Sequence, residues 1–433
     1  MPTFTFTYNG DYDPLNLVAL SQDGSDDSNG PNNIHAFGPQ IELFSRFVFN
    51  NTSGIEIGGS YFVDGDRVVG GFPGYAITGT EYSVSADMSD NTASVYLEGG
   101  DFGDILRAGS DADTLKGGNG NDVLEGGAGA DTIKGGLGVD TASYEHATGR
   151  VYASLEAQMG YEGDASQDTL IDIENLTGST FDDSLVGDDN DNTLRGNGGE
   201  DDIAGRGGDD RIVLSSTPLY ISGGDDKDVL IVMGGGTVSL TETRFADIEA
   251  VYVRNDTHLD MTDVLAGNKI VSQSTSGHAV EIVGTAGNDT IMAGKGGDTI
   301  DGGAGNDTIK GGKGGDTIDG GTGSDRIYAG TGGDTIDGGI GSDKLFAGTG
   351  ADSVRFEAGF GRDNLYGLDL NADHIVVDIA GVDATDILLR PMSGGRDTLV
   401  TFEGVAAGNK IILHDMNVTT VEAAQNELFL FGA

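Results

Sequence analysis

Residues 284–355 read GTAGNDTIM AGKGGDTID GGAGNDTIK GGKGGDTID GGTGSDRIY AGTGGDTID GGIGSDKLF AGTGADSVR, eight consecutive nonapeptides. The sixth position is Asp in every one: Asp289, Asp298, Asp307, Asp316, Asp325, Asp334, Asp343 and Asp352. The eighth is Ile, Leu or Val throughout, from Ile291 to Val354. A Gly-rich linker would not hold Asp and an aliphatic residue in phase. Position nine alternates: Met292, Lys310, Tyr328 and Phe346 on odd repeats, Asp301, Asp319 and Asp337 on even ones until Arg355. The structural period is therefore two nonapeptides per coil, with two chemically different faces.

Each position has a physical role. Glycines at positions one, two and four permit turn conformations closed to other residues. They also bring backbone carbonyls close to a point where the Asp at position six adds a carboxylate. Gly302, Gly305, Gly311, Gly314, Gly320 and Gly323 are the candidate turn glycines of this kind. Hard oxygens in a flexible loop suit calcium better than magnesium, which demands a tight octahedron. The last three residues of a repeat, such as Thr299-Ile300-Asp301, form a short strand with its middle side chain inward. Coils stacked at the strand spacing of about 4.8 Å align Asp289, Asp307, Asp325 and Asp343 in one row, and Asp298, Asp316, Asp334 and Asp352 in the other. Four coils leave three gaps per row, hence about six enclosed ions. Asp352 is expected to end its row.

On these residues the chain resembles the RTX, or hemolysin-type calcium-binding, nonapeptide-repeat family of type I secreted proteins. The resemblance implies an all-β chain whose repeats form a right-handed parallel β-roll, or β-helix, with Ca2+ as its ligand. It covers two further arrays. One spans 99–143 and supplies Asp104, Asp113, Asp122, Asp131 and Asp140 as metal candidates. The other spans 178–231, partly degenerate, with Asp201 and Asp210 as candidates, Asn192 replacing Asp once, and LSSTPLYIS as a coil without ligands. Two to four ions are expected in these two arrays together. Residues 144–177, ending in IENLT, form an inserted strand-like connector; members of the family often carry a similar insertion before IENLTGS. Residues 232–283 read as β-helix-like coils with longer turns and no calcium motif.

The ends lack the repeat. Residues 1–98 carry strand-like runs (TFTFTY, IELFSRFVFN, GIEIGG, YFVDGDRVV, EYSVSADM) and are expected to form an N-terminal β-rich domain, either a small β-sandwich of its own or a cap on the roll, with Asp64-Gly65 as a hairpin turn. The acidic run DGSDDSNG at 23–30 has carboxylates for a cation, but a solvated loop is the expected reading, because it lacks the distal Glu of a calcium loop. Residues 356–433 begin where the nine-residue phase breaks by two, then give DHIVVD, DILLR, DTLVTF and KIILHDM. These are strands of a C-terminal β cap, with at most a turn or two of helix in VTTVEAAQNEL. The final ELFLFGA resembles the uncleaved signal read by the type I secretion machinery, and is equally a last cap strand.

Composition narrows the function. The 433 residues carry 71 acids against 23 bases, a formal charge of -48, so nucleic acid is a poor partner. With no Cys, disulfides, thiolate metal sites and Cys nucleophiles are excluded. No run reaches 18 apolar residues, so no membrane span is expected, and MPTFTFTYNG is not a Sec signal. No HExxH or GxSxG occurs, which sets the chain apart from RTX zinc proteases and lipases. The six histidines (His35, His146, His258, His278, His374, His414) are scattered without ligand or triad spacing. The expected function is a secreted, extracellular or cell-surface calcium-binding protein without catalysis, serving as a surface-layer, matrix or adhesive structure. A second class is a glycan- or cell-surface-binding module on the N-terminal domain with the roll as carrier. A third, weaker one is a polysaccharide-acting enzyme or epimerase-type repeat module.

Overall fold

The computed structural model describes residues 94–432 continuously, Val84–Ser89 and Thr92, and five short strands before them: Phe47–Phe49, Glu56–Gly58, Val63–Asp64, Arg67–Val68 and Ala76–Thr78. The TFTFTY run, the acidic loop at 23–30 and His35 lie outside the described residues. The chain forms two compact units. One takes in the chain up to Ile212 plus Ser222–Asp226, the other Val213–Ile221 plus everything from Lys227.

Both units are parallel β-solenoids, as the repeat implied. In the second, the register advances by 18 residues per coil across the main array: Thr290 pairs with Thr308, Thr308 with Arg326, Arg326 with Lys344. The same step links Thr299, Thr317, Thr335 and Ser353 in the second sheet. Each coil thus gives one strand to each sheet. The middle residue of each strand points inward and is fully buried, as are Ile291, Ile309, Ile327 and Leu345 facing Ile300, Ile318, Ile336 and Val354. Each such side chain contributes roughly 2 kcal/mol. Before the array, coils built from Val229–Val232, Ala250–Val253 and Lys269–Ser272 continue the first sheet with irregular steps. Longer turns replace the Gly-Asp loops there.

The end of the second unit is a cap. Arg362–Tyr366 pairs with Lys410–Leu413, which closes antiparallel on Asp397–Phe402 and then Ile387–Met392. Phe429–Phe431 adds a last parallel strand to His374–Asp378. Val418–Leu428 is a full 11-residue helix, longer than the turn or two expected. Asn417 caps it by accepting the N–H of Thr420, and Val421 and Leu428 are its buried residues.

In the first unit one sheet runs Val84–Asp87, Ile105–Arg107, Val123–Glu125, Thr141–Ser143, Asn175–Thr177 and Thr193–Arg195, all parallel. The other begins with Tyr96–Asp101, Thr114–Asn119 and Thr132–Leu137. Strands at 84–87 and 96–101 already belong to the ladder, and Met88, Val95 and Leu97 are buried in it. The roll therefore starts ahead of the boundary expected at 98. Those first coils lack the Gly-Asp signature, so the sequence hides them. The connector at 144–177 is a hairpin: Tyr152–Ser154 pairs antiparallel with Met159–Glu162, and Thr169–Ile171 then rejoins the ladder beside Thr132–Lys134. Ahead of the roll, Phe47–Phe49 pairs antiparallel with Val84–Ala86, and Val63–Asp64 with Arg67–Val68.

Candidate metal centre

The 18-residue register brings each sixth-position Asp directly under the one before it. Its Oδ1 accepts the backbone N–H of the Asp one coil earlier. In one row Asp289 donates to Asp307, Asp307 to Asp325 and Asp325 to Asp343, at 2.7–2.8 Å. In the other Asp298 donates to Asp316, Asp316 to Asp334 and Asp334 to Asp352, at 2.8–2.9 Å. The first unit repeats the pattern: Asp104 to Asp122, Asp122 to Asp140 and Asp113 to Asp131. Asp183 donates to Asp201 and Asn192 to Asp210. One carboxylate oxygen per residue thus serves the fold.

The other oxygen does not. Oδ2 of Asp122, Asp131, Asp140 and Asp201, and of Asp298, Asp307, Asp316, Asp325, Asp334, Asp343 and Asp352, is buried without a hydrogen-bond partner among the described residues. In Asp122, Asp131, Asp140, Asp201, Asp307, Asp316, Asp325 and Asp343 it lies against the bare Cα of the repeat's own first-position glycine; the repeats of Asp298, Asp334 and Asp352 have Ala293, Ala329 and Ala347 there. A Cβ on Gly302, Gly311 or Gly320 would come within 2.8, 2.7 and 2.9 Å of Oδ2 of Asp307, Asp316 and Asp325. The fourth-position glycines serve differently: Gly305, Gly314 and Gly323 hold positive φ, and a Cβ there would strike the carbonyl one coil back. Close approach of the next coil's backbone requires glycine at position four, whereas position one also accepts Ala, as at Ala293, Ala329 and Ala347.

Electrostatics mark these rows as incomplete. Burial, only partly opposed by the backbone N–H of Asp289, pushes the Asp307 carboxyl up to about 7; neighbouring Asp289 and Asp325 add repulsion. Asp325 is raised to about 7 and Asp316 to about 6 for the same reason. In the first unit Asp131 reaches about 8 and Asp201 about 7, again through burial first. A buried carboxylate without a compensating charge is costly. Among the described residues no three Asp, Glu or His side chains converge on one point. A cation at these turns would therefore take most of its ligands from backbone carbonyls. Hard, anionic oxygens lying against glycine backbone fit a calcium ion.

Two candidates differ from the rest. Asp289 has both oxygens satisfied: Oδ1 takes the Asn268 N–H, and Oδ2 takes the Thr285 N–H at 2.7 Å and its hydroxyl at 3.0 Å. Asp113 accepts from Val95 and Gly109. Both open a row, and protein donors take the oxygens that the sequence assigned to metal. At the other end the rows run on past Asp352. Asp343 donates to Asp363 at 2.9 Å and Asp352 to Asp373 at 2.8 Å, so the expectation that Asp352 ends its row is corrected.

The sequence reading missed several members. Asp168 receives the Asp131 N–H, Glu174 that of Asp140, and Glu249 that of Asp228. Their spacings of 37, 34 and 21 residues break the nine-residue phase. A usable signal was present in Asp168-Thr169-Leu170, Glu174-Asn175-Leu176, Asp363-Asn364-Leu365 and Asp373-His374-Ile375: an acid two residues before an inward aliphatic. The five described histidines do not gather. His146 lies beside Glu125, His258 beside Glu281, His278 beside Asp256 and His414 beside Asp397, while His374 contacts the Glu427 carbonyl.

A parallel β-roll with one buried acid per nonapeptide turn defines a class of repeat protein, and comparison with known families gives that class its name. The model of the RTX calcium-binding nonapeptide repeat matches residues 98–133, 107–142, 177–212, 283–318 and 319–354: the chain carries these repeats in multiple copies. No curated protein matches it. Among solved structures, a subunit of the Azotobacter vinelandii mannuronan C5-epimerase is similar at 21% identity, covering 35% of this chain and 77% of that one, with a TM-score of 0.20. An extracellular lipase of Serratia marcescens is similar at 14% identity over 81% of this chain and 42% of that one, with a TM-score of 0.18. Among the described residues no helix is long and apolar enough to cross a membrane.

Proposed function

We propose that this chain is a secreted structural protein that leaves the cell unfolded and folds outside it on calcium, forming part of a surface layer, matrix or adhesive. The observation that carries this reading is the rows of buried Asp Oδ2 atoms without a donor or counter-charge. Calcium bound at Asp122, Asp131, Asp140 and Asp201, and along Asp298–Asp352 and Asp307–Asp343, would neutralise them. Asp104 and Asp210 occupy equivalent positions in the first unit. When bound, the ion supplies positive charge between coils. The chain's own part is to hold one oxygen of each Asp in the ladder and leave the other facing the turn.

The compartment follows from ion supply. Sites built from one carboxylate and several carbonyls resemble extracellular modules, whose dissociation constants are about 10⁻⁴–10⁻³ M. Cytosolic calcium would leave such sites empty and the chain fit for export; the absence of Cys suits that route. The sequence also lacks the HExxH and GxSxG motifs of the RTX enzymes named above. Electron microscopy of the purified full chain, with calcium and with EDTA, tests the reading. Sheets or filaments that appear only with calcium support it. Monomers that bind a polysaccharide in calcium would replace it with a binding module.

A further inference from the structure

The charges on the two sheets of the main array separate by face except at its end, where Arg355 follows Asp337 in the acidic row. Residues 284–355 contain eleven acids, and eight of them are the buried row Asp residues. The other three, Asp301, Asp319 and Asp337, all lie in register on one sheet face, beside the row Thr299, Thr317 and Thr335. The opposite face carries Lys310, Arg326 and Lys344, all exposed. Their ladder neighbours Thr308, Met292, Tyr328 and Phe346 include no acid. Tyr328 and Phe346 stack at 4.5 Å, and the stack continues through Tyr366 at 4.7 Å to His414 at 4.1 Å. These rings are half-buried against each other, so they present a rigid wall of ring edges. A shallow groove lined by Lys310, Arg326 and Tyr328 lies beside it.

We propose that the Lys310–Arg326–Lys344 face of one roll docks on the Asp301–Asp319–Asp337 face of a second copy of this chain. Charge complementarity and matched spacing both point to self. Each face repeats at one coil, so when one contact is in register the next is too. Chain direction supplies the lateral match. In a coil the chain runs one way along one face and back along the other. Moving a copy by pure translation onto its neighbour therefore sets position nine over position seven. The Asp row then faces Arg326 and Lys344, and the Thr row faces the edges of Tyr328 and Phe346. An in-register row of like charges is unfavourable alone and is relieved by this contact. The two surfaces differ, so the contact is heterologous and extends without closing. The inference rests on the structural reading above and names its lateral partner.

The test is analytical ultracentrifugation of the calcium-loaded full chain at low and high salt. Three proteins are compared: wild type, Lys310→Glu/Arg326→Glu/Lys344→Glu, and Asp301→Lys/Asp319→Lys/Asp337→Lys. Wild type should associate at low salt and separate at high salt, since contacts between charges fade as the screening length drops below about 8 Å. Each triple variant alone should associate at least about tenfold more weakly, and an equimolar mixture of the two should associate again. Calcium-induced circular dichroism is followed in parallel. Asp301 also accepts the Gly303 N–H at 2.9 Å. If the Lys variant fails to fold, Asp301→Asn/Asp319→Asn/Asp337→Asn, which keeps an acceptor, must lose self-association instead. Folded variants that associate like wild type, or a mixture that stays monomeric, would overturn the docking. Microscopic sheets that survive both reversals would overturn it while leaving the structural reading intact. A wild-type monomer that binds a polyuronate through its Lys face would remove both.

Discussion

Asp307→Asn should change stability in opposite directions with and without calcium. The substitution keeps Oδ1 for the Asp289 N–H, at 2.7 Å in the wild type, and removes only the charge. Burial raises the Asp307 carboxyl to about 7. A raised acid binds its proton more tightly in the folded state than in the unfolded one, near 3.9. Its stabilising share is complete below that value and lost as pH rises through 7. The full shift corresponds to about 4 kcal/mol at alkaline pH. Water at the turn surface screens part of it, leaving roughly 2 kcal/mol. In EDTA at pH 8 the Asn variant should therefore fold more readily, at a lower concentration of trimethylamine N-oxide, an osmolyte that favours burial. In millimolar calcium the order reverses. Asp307 borders two gaps of its row, and each site adds about 2 kcal/mol once calcium stands some tens of times above its dissociation constant; Asn weakens both, which outweighs the relief of the charge, so urea should unfold the variant first. A variant that moves the same way in both conditions would refute the view that the Asp307 charge is tolerated for the sake of the ion.

Three further outcomes follow from the same geometry. Asp131, Asp201 and Asp325 are raised to about 8, 7 and 7 by burial; the calcium-free chain should accordingly show more β structure at pH 4.5 than at pH 8 by circular dichroism, and the opposite order would contradict the shifts. Asp373→Ala removes the acceptor of the Asp352 N–H; it should cost about 1–3 kcal/mol in calcium melts, whereas no change would return the end of that row to Asp352. Gly314 has φ +134 and a Cβ there would sit 1.6 Å from the Gly296 carbonyl, while Gly359 has φ +95 and open space around it. Gly314→Ala should prevent calcium-induced folding; Gly359→Ala should cost only about 1–2 kcal/mol, and equal thermal shifts would argue against the close packing of the turns.

The main roll was legible because two residues per repeat answer to one constraint. An inward aliphatic such as Ile309 and a row acid such as Asp307 recur only if the coils stack in register, so the nine-residue phase carries the fold. Where the chain leaves that phase, the same chemistry becomes hard to see. Asp168 and Glu174 join the rows only because the hairpin at 152–162 returns the chain to the ladder. Tyr366 and His414 extend the aromatic stack from the cap, which sequence separation conceals. The Val418–Leu428 helix buries only Val421 and Leu428, too weak a pattern to read its full length. The opposite character of the two faces was visible in the alternation at position nine.

Circular dichroism of the full chain in EDTA, followed by addition of calcium and, separately, of magnesium, bears most directly on the role of the Asp rows. The expected result is little β signal in EDTA at neutral pH, a cooperative gain with calcium, and no comparable gain with magnesium, which holds its waters and octahedron too tightly for carbonyl-rich turns. A β spectrum that persists unchanged in EDTA would contradict it, because the buried Asp oxygens would then need no ion.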